Sequence, residues 1–544
     1  MKQVYLKPNV LVEPLYNQWY AWGCLMYPAT AALYMVNSHL KIMQSFIAAP
    51  QVHVNALKNP AMIGGPFISY PPEKAGEIKA LMERTIKERP HMLELAHAIQ
   101  ELDRIVSTEA EGYSMAPVYQ KVPDLLKGYV ELVYDLHNRP HIRFLEGLLY
   151  KSKYYDVDAQ TIAFSLIDKD ERPYVISTPR LIGEGFMQMK IPFHDPRLDE
   201  LFKMKRTPRP LEEIRELLPV NGDHDLFSTF FTEKAPPPPE KYTGDDVRIR
   251  HFGHACVLVE TSKVSIFVDP LISYQIESPI KRYTYSDLPE TIDYVLITHS
   301  HQDHCMFETL LQLRHKIRNL IVPKSNSGCL SDPSVKLVLQ HMGFENVREI
   351  DEMETIRVED GGITALPFLG EHADLNVRSK SAYFIKLKGR SVVCAADSEN
   401  IESKMYTHIH DFTKRVDIVF QGCECEGAPL SWLYGSLFTQ PLPRKLDQSR
   451  RLNSSNYEKA IRTVEELKPD TVYVYAMGLE PWLPFMTTLE YTEQSKQLQE
   501  AKKLVEECNR RGIASEILYG HKEIFLSPVE EEAVQPKVRK VHSP

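Results

Sequence analysis

From residue 247 onward, short apolar runs follow one another at close intervals. Val247–Gly253, Ala255–Thr261 and Val264–Val268 are rich in β-branched residues and separated by turn formers, so they read as strands in quick succession. Tyr294–Ile297, Asn319–Pro323, Thr355–Val358, Ile363–Pro367, Ala382–Leu387, Ser391–Ala395, Val416–Phe420, Thr471–Tyr475 and Ala514–Leu518 extend the series. Between them the apolar spacing changes to the helical period over Met306–Ile317, Val335–Met342, Asn456–Leu467 and Ser495–Arg510. Strands first, then strands alternating with helices, predict two sheets sandwiched between helices.

Residues 1–235 have a different texture. They open on the aromatic segment Pro14-Leu-Tyr16-Asn-Gln-Trp19-Tyr20-Ala-Trp22. Helical periodicity then covers Ala75–Val106, interrupted at Pro90, and a second helical stretch is expected over Val122–Asn138. Thr161–Ile167 and Tyr174–Ser177 read as strands, and Pro208–Leu217 as a short helix with Thr207 as its cap. This is a mixed α+β domain. The run Pro236-Pro-Pro-Pro239 prefers a stiff extended conformation and marks a linker over 236–245. An α/β domain over 246–530 and a flexible tail over 531–544 complete the expected division.

A chain of 544 residues exceeds what one core usually fills, which agrees with that division. The net charge of −9 argues against nucleic acid as the main partner. No run of about 18 apolar residues suggests a membrane span, and the N-terminus lacks the apolar core of a signal peptide. Eight scattered cysteines in a chain this long point to a reducing cytoplasm. Cys423-x-Cys425 is too tight for a usual zinc knuckle and reads as a strand edge, and Cys305 as a packing residue. His137, His141 and His194 are isolated and are expected at structural or surface positions. The aromatics of the first 40 residues read as either core or a subunit interface, and so would permit a homodimer.

The chemistry lies at the end of the Tyr294 strand. His299-x-His301-x-Asp303-His304 gathers imidazoles and a carboxylate, the ligand types of zinc, iron or manganese. His299 and His301 are two apart and, in an extended segment, face the same way. Asp303 and His304 follow closely enough to serve a second ion. Two further strands end in acidic groups: Gly370-Glu371-His372-Ala-Asp374, and Asp397 after Val392–Ala396. A carboxylate at such a strand end is placed to bridge two cations.

These motifs, with the early Asp269, resemble the metallo-β-lactamase fold, an αββα sandwich with a dinuclear site at one edge of its sheets. The resemblance covers roughly residues 246–525. It implies that His299 and His301 bind the first metal, Asp303 and His304 the second, and that Asp397 bridges. Hydrolases of this fold usually place a histidine next. Here either Glu371 or His372 takes that position. With Glu371 the first site holds two imidazoles and two carboxylates, and added hard oxygen ligands favour iron over zinc. The late terminal histidine of most members has no counterpart after Thr471–Tyr475, which leaves His521 and Glu480 as weak candidates.

The two-domain layout, the Gly-Glu-His-Ala-Asp-Leu segment, Arg450-Arg451-Leu and Tyr475-Ala-Met-Gly-Leu-Glu-Pro-Trp482 resemble the small group of di-iron β-hydroxylases known from chloramphenicol biosynthesis. That resemblance implies a di-iron monooxygenase with dioxygen as co-substrate. It implies as substrate an aminoacyl thioester on the carrier protein of a nonribosomal peptide synthetase. No flavin or dinucleotide motif is present, so an external reductase is the expected electron donor. Arg444, Lys445, Arg450 and Arg451 form either a plain solvated face or a basic group that docks an acidic carrier. Trp432, Tyr434 and Trp482 either pack in the core or wall a substrate pocket. The alternative is a dinuclear zinc hydrolase acting on a thioester, lactone or phosphodiester, with His372 as the ligand.

Overall fold

Two seven-stranded sheets lie face to face. A computed structural model describes residues 2–59, 62, 65–220 and 223–529. The expected tail at 531–544 lies outside the described residues. Across the first sheet the strands run Val347–Ile350, Ile317–Pro323, Ile292–Leu296, Ser265–Val268, Val257–Glu260, Val247–His251 and Lys522–Leu526. Across the second they run Thr355–Val358, Gly361–Leu366, Ala382–Leu387, Arg390–Cys394, Ile418–Gly422, Thr471–Tyr475 and Ala514–Ile517. In each sheet one half is parallel: Ser265–Val268 through Val347–Ile350 in one, Arg390–Cys394 through Ala514–Ile517 in the other. Parallel neighbours end at the same edge, so their following loops meet there.

The strands are apolar on both faces because both faces are covered. Val257 and Val259 turn inward, onto Ile363, Tyr383 and Tyr475 of the other sheet. Cys256 and Leu258, at the alternate positions, turn outward into a second core shared with the N-terminal region. That core runs from Val4 through Trp19, Leu33, Leu95 and Phe202 to Phe267, Leu310 and Val338. The N-terminal region therefore helps to cover the outer face of the first sheet. The second sheet is covered by helices Ser403–Thr413, Tyr457–Leu467 and Lys496–Arg510. The α/β sandwich and the mixed α+β character of residues 2–232 agree with the sequence pattern.

Four expectations change. Val122–Asn138 is not helical: a 3-10 turn at Asp124–Leu126 leads into a hairpin of Val130–Tyr134 and Pro140–Phe144. Val130, Leu132 and Tyr134 alternate along that strand, and their β-prone side chains suit its pleat. Tyr174–Ser177 is a turn, whose Ile176 N–H donates to Phe485 O at 2.9 Å. The helix expected from Pro208 begins at Leu211 without a side-chain cap from Thr207, because Arg209–Pro210 pairs with the N-terminal strand. The aromatics Tyr16, Trp19 and Tyr20 fill the core, which removes their support for a homodimer.

One buried charge cluster ties the N-terminal region to the sandwich. Glu308 lies on helix Phe307–Leu313, which starts just after the metal motif. It accepts two bonds from Arg172, each 2.8 Å, one from Tyr20 Oη at 2.9 Å and one from Tyr274 Oη at 2.7 Å. The Arg172 guanidinium also lies 3.6 Å from the centre of the Phe485 ring. Removing one partner of such a pair leaves an uncompensated charge. Arg172→Met is expected to cost about 3–5 kcal/mol and to lower the midpoint of thermal unfolding. The double change Arg172→Met/Glu308→Leu is expected to recover part of that loss, and equal midpoints for wild type and single variant would contradict the assignment.

Candidate metal centre

The metal motif follows strand Ile292–Leu296 and is held by residues of both sheets. Asp269, at the end of strand Ser265–Val268, is fully buried. It accepts Thr298 N–H at 2.7 Å and Thr298 Oγ1 at 2.6 Å, and pairs with His304 Nδ1 at 2.8 Å. From the second sheet, Tyr383 Oη donates to Ile297 O at 2.9 Å and Ser381 N to Thr298 O at 2.8 Å. Asp269 thereby orients the His304 ring and leaves its Nε2 toward the centre. A carboxylate behind a ligating histidine fixes the tautomer and raises its basicity.

Three overlapping groups result. His299, His301 and Glu371 bring one ligand atom each to within 4.8 Å of one another; so do His254, Asp303 and His304; and so do His299, His304 and Asp397. Asp397 Oδ2 lies 3.0 Å from His304 Nε2 and 3.8 Å from His299 Nε2, between the other two groups. His299 Nε2, His301 Nε2, His304 Nε2 and Asp397 Oδ1 are buried without hydrogen-bond partners, as are both ring nitrogens of His372. Native interiors rarely leave such atoms unpaired. Orphaned imidazole nitrogens and a carboxylate oxygen facing one space fit a pair of divalent cations.

Backbone conformation places Glu371 beside His301. Gly370 and Glu371 both have positive φ, +76° and +65°. A Cβ at position 370 would lie 2.4 Å from Glu399 Cβ, so only glycine fits. Lys380 Nζ donates to Gly370 O at 2.9 Å and holds the turn. Glu371 Oε1 then sits 2.6 Å from His301 Nδ1. His372 stacks on His301 at 4.6 Å with its Nδ1 2.6 Å from Glu371 Oε2, and it joins none of the three groups. Asp397 is fixed in a similar way. Ala396 has φ +48° and donates its N–H to Tyr475 Oη at 2.9 Å, and a Cβ at Gly422 would meet Ala396 O at 2.6 Å.

His254 is the residue that sequence reasoning missed. Its Nε2 lies 3.2 Å from Asp303 Oδ2, at the place sought among late candidates. Glu480 does not reach the centre; it accepts His254 N–H at 2.8 Å and so positions that histidine. His521 packs against Tyr283 instead, 5.3 Å between ring centres. The available signal was Gly253-His254 directly after a strand, with Gly253 at φ +103° and His254 at +49°. The other candidates separate. Trp482 is buried under Arg282 at 4.5 Å, Tyr434 is buried, and Trp432 is half exposed. Cys305 is buried, and His137, His141 and His194 are on the surface.

The charges of the cluster are mutually dependent. Burial, then His304, holds His299 well below the ordinary imidazole value. Burial opposes a charge on His301 and His304, yet Glu371 holds the first above that value, and Asp397, Asp303 and Asp269 hold the second well above it. Burial opposes a charge on Glu371, yet His301 and His372 keep its carboxyl well below the usual range. Burial pushes the Asp269 carboxyl up against the pull of His304. Burial and then Asp397, Asp303 and Glu371 push the Glu424 carboxyl well above the usual range.

Residues 5–236 match the N-terminal domain of the di-iron non-heme β-hydroxylases, and residues 265–474 match the β-lactamase superfamily domain. The chain is 38% identical over 523 residues to 4-amino-L-phenylalanyl-[CmlP-peptidyl-carrier-protein] 3-hydroxylase of Streptomyces venezuelae, spanning 94% of this chain and 98% of that one. It belongs to the di-iron β-hydroxylase family. The crystal structure of CmlA, a di-iron β-hydroxylase from Streptomyces venezuelae, matches 96% of this chain and 100% of its own at 38% identity, with a TM-score of 0.90. A mutant of the CmlA β-hydroxylase matches with a TM-score of 0.88 at 37% identity. This di-iron β-hydroxylase is thus a non-haem enzyme on a β-lactamase fold, and its family implies two iron ions. The zinc-hydrolase alternative is set aside. No described helix is long and apolar enough to cross a membrane.

His254→Ala is expected to leave about one iron per chain where the wild type holds about two, counted by elemental analysis of protein purified without chelators. Glu480→Ala, acting through His254, is expected to weaken the same site by about 10–100-fold. Full loading of His254→Ala would remove His254 from the centre.

Proposed function

We propose that this enzyme hydroxylates the β-carbon of an aminoacyl group held as a thioester on a nonribosomal peptide synthetase carrier protein. The observation that carries the reading is Glu371, a carboxylate set 2.6 Å from His301 where hydrolases of the fold place an imidazole. The activity of the Streptomyces venezuelae relative, a 3-hydroxylase of a carrier-bound aminoacyl group, supports the same substrate class.

In this reading His299, His301 and Glu371 would hold one iron, Asp303, His304 and His254 would hold the other, and Asp397, placed between the two groups, would serve both. When bound, the iron pair would supply the activation of dioxygen, one atom entering the β C–H bond and the other leaving as water with two electrons and two protons from outside. The chain's own residues set the conditions. Asp269 holds the proton of His304 Nδ1 away from the centre, so that Nε2 offers a lone pair. Left-handed Glu371 keeps a hard anionic ligand in place, which favours oxidised over reduced iron and poises the centre for oxygen chemistry. Burial of the imidazoles excludes water that would otherwise quench a reactive centre.

Electrons come from an external reductase, since no flavin or dinucleotide fingerprint is present in the chain. The carrier is acidic and meets the exposed side chains Arg444 and Lys445 on helix Arg444–Ser449, near half-exposed Trp432. Arg450 and Arg451 play another part. Arg450 Nε donates to Ala373 O at 2.8 Å and Arg451 Nε to Gly427 O at 2.9 Å. Through Arg450 the segment that carries the basic group is tied to the Glu371 turn. The reaction takes place in the cytoplasm, where the carrier is loaded.

Glu371→Ala is expected to abolish addition of an oxygen atom to a carrier-bound aminoacyl group, read by mass spectrometry of the carrier. His372→Ala is expected to retain most of it. The reverse order would favour a histidine-ligated centre and the hydrolytic reading.

A further inference from the structure

A cavity of about 310 Å³ lies at the seam between the N-terminal region and the first sheet. Chain segments from both regions wall it, and helix Phe307–Leu313 contributes Thr309, Gln312 and Leu313. None of the candidate iron ligands lines it. The helix joins it to the metal motif, beginning three residues after His304.

Its charge is one-sided. Lys7, Lys205 and Lys234 line the cavity and no carboxylate does, on a chain whose net charge is −9. Lys205 is the inner group and is only 7% exposed. Its Nζ lies 5.7 Å from the centre of the Tyr274 ring and 5.3 Å from that of Tyr285, and it makes no hydrogen bond or ion pair among the described residues. An ammonium carries three donors and no acceptor; seated by two aromatic faces, that of Lys205 opens onto the cavity, where those donors can meet an incoming acceptor. Glu308, the acid that acts on it through space, is already taken by Arg172, Tyr20 and Tyr274. Burial pulls the Lys205 ammonium down to about 8, so at neutral pH it is still largely protonated. A largely buried cation without a carboxylate partner, lining a volume of small-molecule size, is suited to an anionic ligand.

The walls define the rest of that partner. Ile272, Leu313 and Pro236 are apolar, and the Tyr274 and Tyr285 rings flank the ammonium. Tyr274 Oη is fully engaged: it donates to Glu308 and accepts from Val12 N at 3.1 Å and Gln312 Nε2 at 3.1 Å. Its ring rather than its hydroxyl is what it offers to the cavity.

We propose that this seam cavity binds a small organic anion, its acid group on Lys205 and its apolar body against Ile272, Leu313 and the two tyrosine rings. A carboxylate and a phosphate monoester share that chemistry. The inference is independent of the carrier-bound substrate, because it concerns a volume lined by none of the iron ligands.

The test is isothermal titration of the iron-loaded full chain with phenylacetate and with phenyl phosphate, using phenylacetamide and inorganic phosphate as controls. Saturable one-to-one binding of at least one organic anion is expected, with neither control binding, and the anion that binds identifies the acid group. Lys205→Met is expected to weaken that binding by at least about tenfold. Lys205→Arg, which keeps the charge, is expected to retain it. Absence of saturable binding by both anions would overturn the proposal. So would phenylacetamide or inorganic phosphate binding as well as the anions, or Lys205→Met binding as tightly as the wild type.

Discussion

Four imidazoles and three carboxylates share one space between the sheet edges, and cations are what make that arrangement tolerable. Without them, His299 Nε2, His304 Nε2 and Asp397 Oδ1 are buried polar atoms with no partner. The need to aim these groups at common points explains the local conformations around them. Gly370, Glu371 and Ala396 take left-handed backbone angles, and Gly370 and Gly422 stand where a Cβ would collide with a neighbour. Strain of this kind is retained where the surrounding structure fixes it and function requires it.

The fold meets the need with parallel strands. Asp269, His299 and Asp397 each follow a strand that runs in the same sense as its parallel neighbour, so their loops gather at one edge. Tyr383 and Ser381 of one sheet then hold the metal motif of the other. The N-terminal region completes the molecule by covering the outer face of the first sheet, and Glu308 couples it to the helix behind His304. A change in that region can therefore reach the centre through packing, with no ligand of its own.

Local features of the sandwich were legible in the sequence. His299 to His304 lie within one loop, and their spacing alone announces metal chemistry. The strand ends at Asp269, Glu371 and Asp397 were also visible, because buried strands read as unbroken apolar runs. The placing of Glu371 beside His301 was not, since it depends on a left-handed turn held by Lys380 and by contact with Glu399. His254 was hidden for a different reason. It stands alone, 49 residues before Asp303, and only the pairing of strands brings the two together. Glu480 was noticed for its charge, but its hydrogen bond to the backbone of His254 spans 226 residues and leaves no local pattern. In the N-terminal region, Val122–Asn138 carries apolar residues compatible with either period, and tertiary packing decided for the hairpin.

Whether two irons sit on these side chains with Glu371 as a ligand is decided by anomalous diffraction at the iron edge, from crystals of the iron-loaded chain. Two peaks about 3.5–4 Å apart are expected, one among His299, His301 and Glu371, the other among His254, Asp303 and His304, both beside Asp397. A single peak, or a peak held by His372 with Glu371 turned away, would overturn the assignment.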